Sequence, residues 1–152
     1  MGCHCAGNGG QSSTHQAKSR WLRRKEEVSM DVEYELVKWF VKEKLPSDVV
    51  SAHGLHDSSR QGWRVYGAYF DLLVETKTEF WIVEAKKDWN DHAIYTAAGQ
   101  LLFYKHLWNT YKENARAKLL KLICLCPFDC SEDAEKFLAL YDVQFVKGDV
   151  PR

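Results

Sequence analysis

The chain has 152 residues, 45% of them apolar, enough to bury one core and too few for two independent ones. Lys plus Arg and Asp plus Glu number 21 each, so overall charge points to no nucleic-acid or acidic partner, and any such partner must be met by a local patch. Six Trp, seven Tyr and seven Phe exclude disorder of the main body. No stretch reaches the roughly 18 apolar residues of a spanning helix, and the N-terminus lacks an apolar signal core, so a soluble, cytoplasmic or otherwise intracellular protein is expected.

Residues 1–16 are rich in Gly, Ser, Asn, Gln and His without periodicity and read as a disordered tail, leaving 17–152 as a single domain. A basic cluster follows at Lys18, Arg20, Arg23, Arg24 and Lys25, either a phosphate-tracking patch or a solvated helix start. From 28 to 44, Val32, Leu36, Val37, Phe40 and Val41 recur at spacings of three and four, which predicts an amphipathic helix stopped by Pro46. Glu33 projects from the same face as that apolar stripe, with Glu35 as its competitor for any role there.

Residues 49–56 and 61–74 read as two strands joined by a polar turn, and Phe80 to Lys86 as a third, together a meander. A long helix is predicted from about 92 to 114, carrying Ile94, Ala97, Ala98, Leu101 and Trp108. The aliphatic run 119–125 fits a central strand covered on both faces. Ser131 then caps a helix with acids in its first turn, and 143–146 is a last short strand. The order α-β-β-β-α-β-α-β makes an α/β fold with a central mixed sheet flanked by helices. Five cysteines, Cys3, Cys5, Cys124, Cys126 and Cys130, form no disulfide framework, and their spacings are not those of structural zinc, so buried or tail thiols are expected.

Chemistry concentrates in the third strand. Glu84 and Lys86 are two apart and leave one face, while Trp81, Val83 and Ala85 leave the other. Pairing of the second and third strands would bring Asp71 beside Glu84. Two adjacent carboxylates repel and are best kept ionised by a hard divalent cation. Such an ion can polarise a phosphodiester and lower the pKa of a bound water, and a neighbouring ammonium can orient that water or stabilise the developing charge. Asp, Glu and Lys so placed suit phosphodiester hydrolysis.

Asp71 followed by Glu84-Ala85-Lys86 resembles the D…(D/E)XK signature of the PD-(D/E)XK, or restriction-endonuclease-like, nuclease superfamily. Gln100 and Tyr104 resemble the QxxxY motif of its RecB-like and lambda-exonuclease-like branches, and Glu33 matches a carboxylate often found on the first helix. The resemblance spans about residues 28–126. It departs at Phe70, where the family often has Pro.

The resemblance implies a restriction-endonuclease-like sandwich. It makes Asp71 and Glu84 metal ligands, with the backbone carbonyl of Ala85 as a third and Lys86 as the catalytic lysine. Gln100 and Tyr104 would touch the site or the nucleic-acid backbone, and Glu33 would complete the metal or water shell. The expected activity is a Mg²⁺- or Mn²⁺-dependent endonuclease on DNA, acting as a homodimer by analogy with small nucleases of this type. An end-dependent exonuclease and a non-catalytic nucleic-acid-binding or protein-interaction domain of the same fold are the alternatives. His53 and His56 could assist as acid or base but read as solvated, and Lys87, Trp89 and His92 could stack on a base or line the groove but read as packing or rim.

Overall fold

The structure is a computed structural model that describes residues 32–57, 62–88, 90–111 and 118–150. The tail over 1–16, the basic cluster, Cys3, Cys5 and Trp89 lie outside them. The described residues all belong to one compact unit, Val32–Arg152. They hold three helices and seven strands, and no described helix is long and apolar enough to cross a membrane.

The first helix, α1, is described over 32–43. β1 (Val49–Gly54), β2 (Trp63–Val65), β3 (Ala68–Phe70), β4 (Leu72–Thr76) and β5 (Glu79–Ala85) follow, then α2 (Asp91–Thr110), β6 (Leu119–Cys126), α3 (Glu132–Leu140) and β7 (Val143–Lys147). Five strands form one sheet in the order β1-β4-β5-β6-β7. β1, β4 and β5 are antiparallel neighbours, the expected meander, whereas β6 joins β5 and β7 joins β6 in parallel. Each parallel step is made through a helix, because a parallel neighbour cannot be reached by a tight turn.

The strand expected over 61–74 is a correction. It is three strands, because Tyr66 (φ 50°) and Gly67 (φ 83°) turn the chain back on itself and pair β2 with β3 as a separate two-stranded sheet. Two successive positive φ angles are what a two-residue hairpin turn needs to match strand twist. The chain rejoins the main sheet only at Leu72, so Asp71 occupies a bend and not a strand interior.

Alternation along the central strands splits the core in two. Leu72, Val74, Val83, Ala85, Ile123 and Leu125 point to α1, where they meet Leu36, Val37 and Phe40, all at most 1% exposed. Ile82, Leu122, Cys124 and Cys126 point the other way, to Ile94, Ala97, Ala98, Leu101 and Trp108 of α2 and Ala134 and Leu138 of α3. Burying side chains of this size contributes about 1.5–3 kcal/mol each, so Phe40→Ala would detach α1 at a cost of about 3–5 kcal/mol. α2 starts at Asn90, whose side chain accepts from Ala93 N, and α3 starts at Ser131, whose hydroxyl accepts from Ala134 N. Both caps satisfy amides that have no partner within their own helix. Cys124 and Cys126 are buried, with sulfurs 3.8 Å apart, and serve as small apolar residues of β6.

Candidate active site

The site is made by the way the β4–β5 ladder ends. Leu72 lies opposite Val83, so continuing the register would place residue 70 opposite Ala85. Phe70 is committed elsewhere, paired with Trp63 in the small hairpin and buried against Tyr104 with ring centroids 4.6 Å apart. Ala85 N–H therefore has no ladder partner on that edge, and Asp71 Oδ2 accepts it instead at 2.8 Å. The aspartate is fixed where a strand carbonyl would have been. In a strand, a residue's N–H and C=O leave on the same edge, so the Ala85 carbonyl also emerges beside Asp71.

β1 clamps the backbone of that bend. Leu55 N donates to Asp71 O at 2.9 Å, and Gly54 lies so close to the Asp71 carbonyl that a Cβ there would overlap it. Glycine is required at 54 by this approach. On the other side of β5, Lys86 N donates to Leu125 O at 2.9 Å, which extends the parallel ladder one residue past the strand and holds the lysine at the sheet's end.

Glu84 is 4% exposed, with Oε1 3.4 Å from Lys86 Nζ and Oε2 buried without a hydrogen-bond partner. Burial pushes its carboxyl well above the usual range, the charge of Asp71 pushes it further, and Lys86 opposes both. Asp71 is also raised by burial, and less far, because the Ala85 amide and Lys86 favour its ionised form. Glu33 reaches the same place from α1. Its carboxyl rises to about 7, first through burial and then through Asp71, while Lys86 and Lys87 pull it down. Glu35 instead borders a surface cavity with Lys38, Trp39 and Lys42, so of the two it is Glu33 that lies near Asp71.

Tyr104 is 8% exposed, and its phenol is raised by burial and by the charges of Glu84 and Asp71, so the ring is in the core within electrostatic reach of the carboxylates. Gln100, one turn earlier on α2, is half-buried with its Oε1 wholly enclosed and unpartnered. The structure thus brings together Glu33, Asp71, Glu84, Lys86 and Tyr104. Gln100 faces the interior nearby without touching the carboxylates. Lys86 and His92 share a small cavity with Asp88, Asn90 and Thr96, so His92 lies at the rim of the site.

Sequence reasoning left out two neighbours of the bend. His56, two residues after Gly54, has a buried Nδ1 with no partner and Nε2 at 3.5 Å from Asp57 Oδ1. His53 stacks on Trp63 with centroids 4.2 Å apart. Neither was legible, since the hairpin that brings Trp63 over β1 was read as a continuous strand.

One buried and two half-buried carboxyls beside one lysine would, once ionised, leave negative charge uncompensated, a donor set suited to a hard cation. Among the described residues no three His, Cys, Asp or Glu side chains are gathered tightly enough to hold an ion unaided. A cation here would rest on Asp71, Glu84 and the Ala85 carbonyl, with water completing its shell, as Mg²⁺ commonly does. The orphaned Glu84 Oε2 fits that role.

Fold and site define a mixed α/β domain with a buried carboxylate–lysine cluster at the end of its central strands. No family model matches the chain, and no curated protein matches it. Among solved structures it is similar to the crystal structure of an XisH family protein from Nostoc punctiforme PCC 73102, with 16% identity and a TM-score of 0.46, covering 78% of this chain and 91% of that one.

Proposed function

We propose that the chain is a metal-dependent nuclease of the PD-(D/E)XK type that hydrolyses phosphodiester bonds in DNA, as an endonuclease working in a homodimer. One observation carries this reading: Asp71 and Glu84, from either side of a broken ladder, lie close enough for their charges to act on each other, with Lys86 3.4 Å from Glu84. A fold that gains stability from burial has no use for such a group unless something binds there. The restriction-endonuclease-like sandwich agrees with α1, the meander and the two helical crossovers, with the β2–β3 hairpin as an insertion.

A bound Mg²⁺ or Mn²⁺ would supply Lewis acidity toward the phosphoryl oxygen and a more acidic water. The chain's own groups do the rest. Asp71 is aimed by the Ala85 amide, and Glu84 offers its unpartnered oxygen. Lys86 places an ammonium where negative charge develops, in surroundings dry enough for it to act strongly. Glu33, titrating near neutrality, can accept a proton from the attacking water. Tyr104 lies within electrostatic reach of the carboxylates and, through Phe70, braces the chain just before Asp71.

The experiment is to incubate the protein with plasmid and with linear DNA, with and without Mg²⁺, beside Asp71→Ala and Lys86→Ala. Cutting that needs the metal and disappears in both variants is expected. DNA binding with no cutting under any metal would favour the non-catalytic domain, and cutting confined to linear ends would favour the exonuclease. Sedimentation of the purified chain tests the homodimer.

A further inference from the structure

We infer that the β2–β3 hairpin is a base-stacking wing beside the carboxylate site, and that the substrate is DNA with unpaired bases next to the bond to be cut. The inference rests on the nuclease reading and adds the form of DNA. Directly opposed residues of an antiparallel pair share a face, so Trp63 lies on the face of Phe70, and Arg64 with Tyr69 on the other. Phe70 packs on Tyr104, which lies within electrostatic reach of Glu84 and Asp71. Trp63 therefore flanks the site on the same side of the main sheet as Glu84, across from the residue that precedes Asp71.

A tryptophan in that place would ordinarily be covered. This one remains 42% exposed, although His53 of β1 stacks against it at 4.2 Å and 19° between planes. The histidine ring holds the indole in one orientation and leaves part of its surface to solvent, an arrangement ready to receive another flat ring. On the hairpin's other face Arg64 is exposed and Tyr69 is 54% exposed, a basic and an aromatic group side by side. Aromatic rings interleaved with a cation bind single-stranded nucleic acid, since every base has a face to stack and every phosphate a charge to meet. In an intact duplex the bases already stack on one another, and Trp63 would find no free face.

The test is binding of labelled oligothymidine and of a matched duplex, followed by fluorescence anisotropy with Ca²⁺ in place of Mg²⁺, for wild type, Trp63→Ala and Trp63→Phe. Trp63→Ala is expected to weaken single-strand binding by about 5- to 150-fold, the range that loss of one base–aromatic stack gives. Trp63→Phe should recover most of it, and duplex binding, carried by phosphate contacts, should change little. Equal losses for both DNAs, no loss for either, or no recovery by Phe overturns the inference. Since the readout is binding, protein that binds through Trp63 but never cuts would sink the nuclease reading alone. Protein that cuts without regard to Trp63 would sink this inference alone.

Discussion

The two ends of β5 each carry a glutamate, and the chain treats them oppositely. Glu79, at the start, accepts from Trp81 Nε1 at 2.6 Å and pairs with Lys121 Nζ at 3.2 Å, in a setting open to water. Its carboxyl is held below the usual range, first by the Trp81 bond. Nearby, Lys118 donates to both Glu75 Oε1 and Thr76 O at 2.7 Å. Both glutamates at this end, Glu75 and Glu79, have their donors. Five residues later Glu84 is buried against Asp71, with Lys86 the cation beside it and one oxygen left without a partner. Charge at the first end is ordinary surface pairing, whereas charge at the second is kept unbalanced, which is the mark of a binding site.

If that contrast is right, the largest effect separates two conservative changes on one strand. Glu84→Gln removes one carboxylate of the proposed ion site and is expected to lower Mg²⁺-dependent cutting by about 100-fold or more, the scale of losing a main electrostatic contributor. Glu79→Gln should leave the rate unchanged in the same plasmid assay. Equal rates for the two variants would break the comparison. Gly54→Ala sharpens it without altering any site side chain. The added Cβ overlaps the Asp71 carbonyl and must displace the bend that aims Asp71 at Ala85. A shift of about 1 Å can cost about 100-fold in rate. A normal rate in Gly54→Ala would show that the clamp on Asp71 is dispensable.

The next effect is on stability and its pH dependence. Carboxyls raised by burial bind their protons more tightly in the folded chain than in the unfolded one, so they favour folding at low pH and lose that contribution as pH rises. With Asp71 near 6, Glu33 near 7 and Glu84 near 9, the metal-free protein should become less stable between about pH 5 and pH 9. Melting followed by circular dichroism in EDTA measures this, and Glu84→Gln should flatten the slope and raise Tm at pH 8. Mg²⁺ should reverse the loss at pH 8. At 100 times its Kd a ligand adds about 2.7 kcal/mol, or about 5–10 °C in a domain of this size. A metal-free Tm that climbs from pH 5 to pH 8 would contradict the buried, uncompensated cluster.

Most of the frame was legible because burial writes itself into periodicity. α1, α2 and α3 show their stripes or caps, β5 and β6 read as continuous apolar runs since both faces are covered, and Glu84 with Lys86 stood out as charges on such a strand. The stretch 61–74 was misread because its aromatic and β-branched residues favour strand throughout. The break rests on Tyr66-Gly67, where only the glycine gave a signal. That misreading also hid how Asp71 is aimed: a side chain can replace a ladder carbonyl only where the ladder stops. Glu33 was legible on the apolar face of α1, with Glu35 about 200° round the helix, but periodicity does not say which of the two carboxyls reaches the bend at Asp71; only the packing of α1 on the sheet does. The stack of His53 on Trp63 depends on the same hairpin and was equally out of reach.

The smallest effect tests the quiet end of β5. Glu79→Gln keeps an acceptor for Trp81 Nε1 but loses the charge that strengthens that bond and draws in Lys121, whose ammonium also lies 5.0 Å from the Trp81 ring centroid. The groups are solvated, so screening limits the cost to at most about 1 kcal/mol. That cost should shrink with added salt, because exposed charges are screened beyond a Debye length of about 8 Å at physiological ionic strength. Urea melts at low and high salt measure both quantities. A loss well above this limit, insensitive to salt, would mean that Glu79 is as enclosed as Glu84, and the asymmetry along β5 would no longer single out one end as the site.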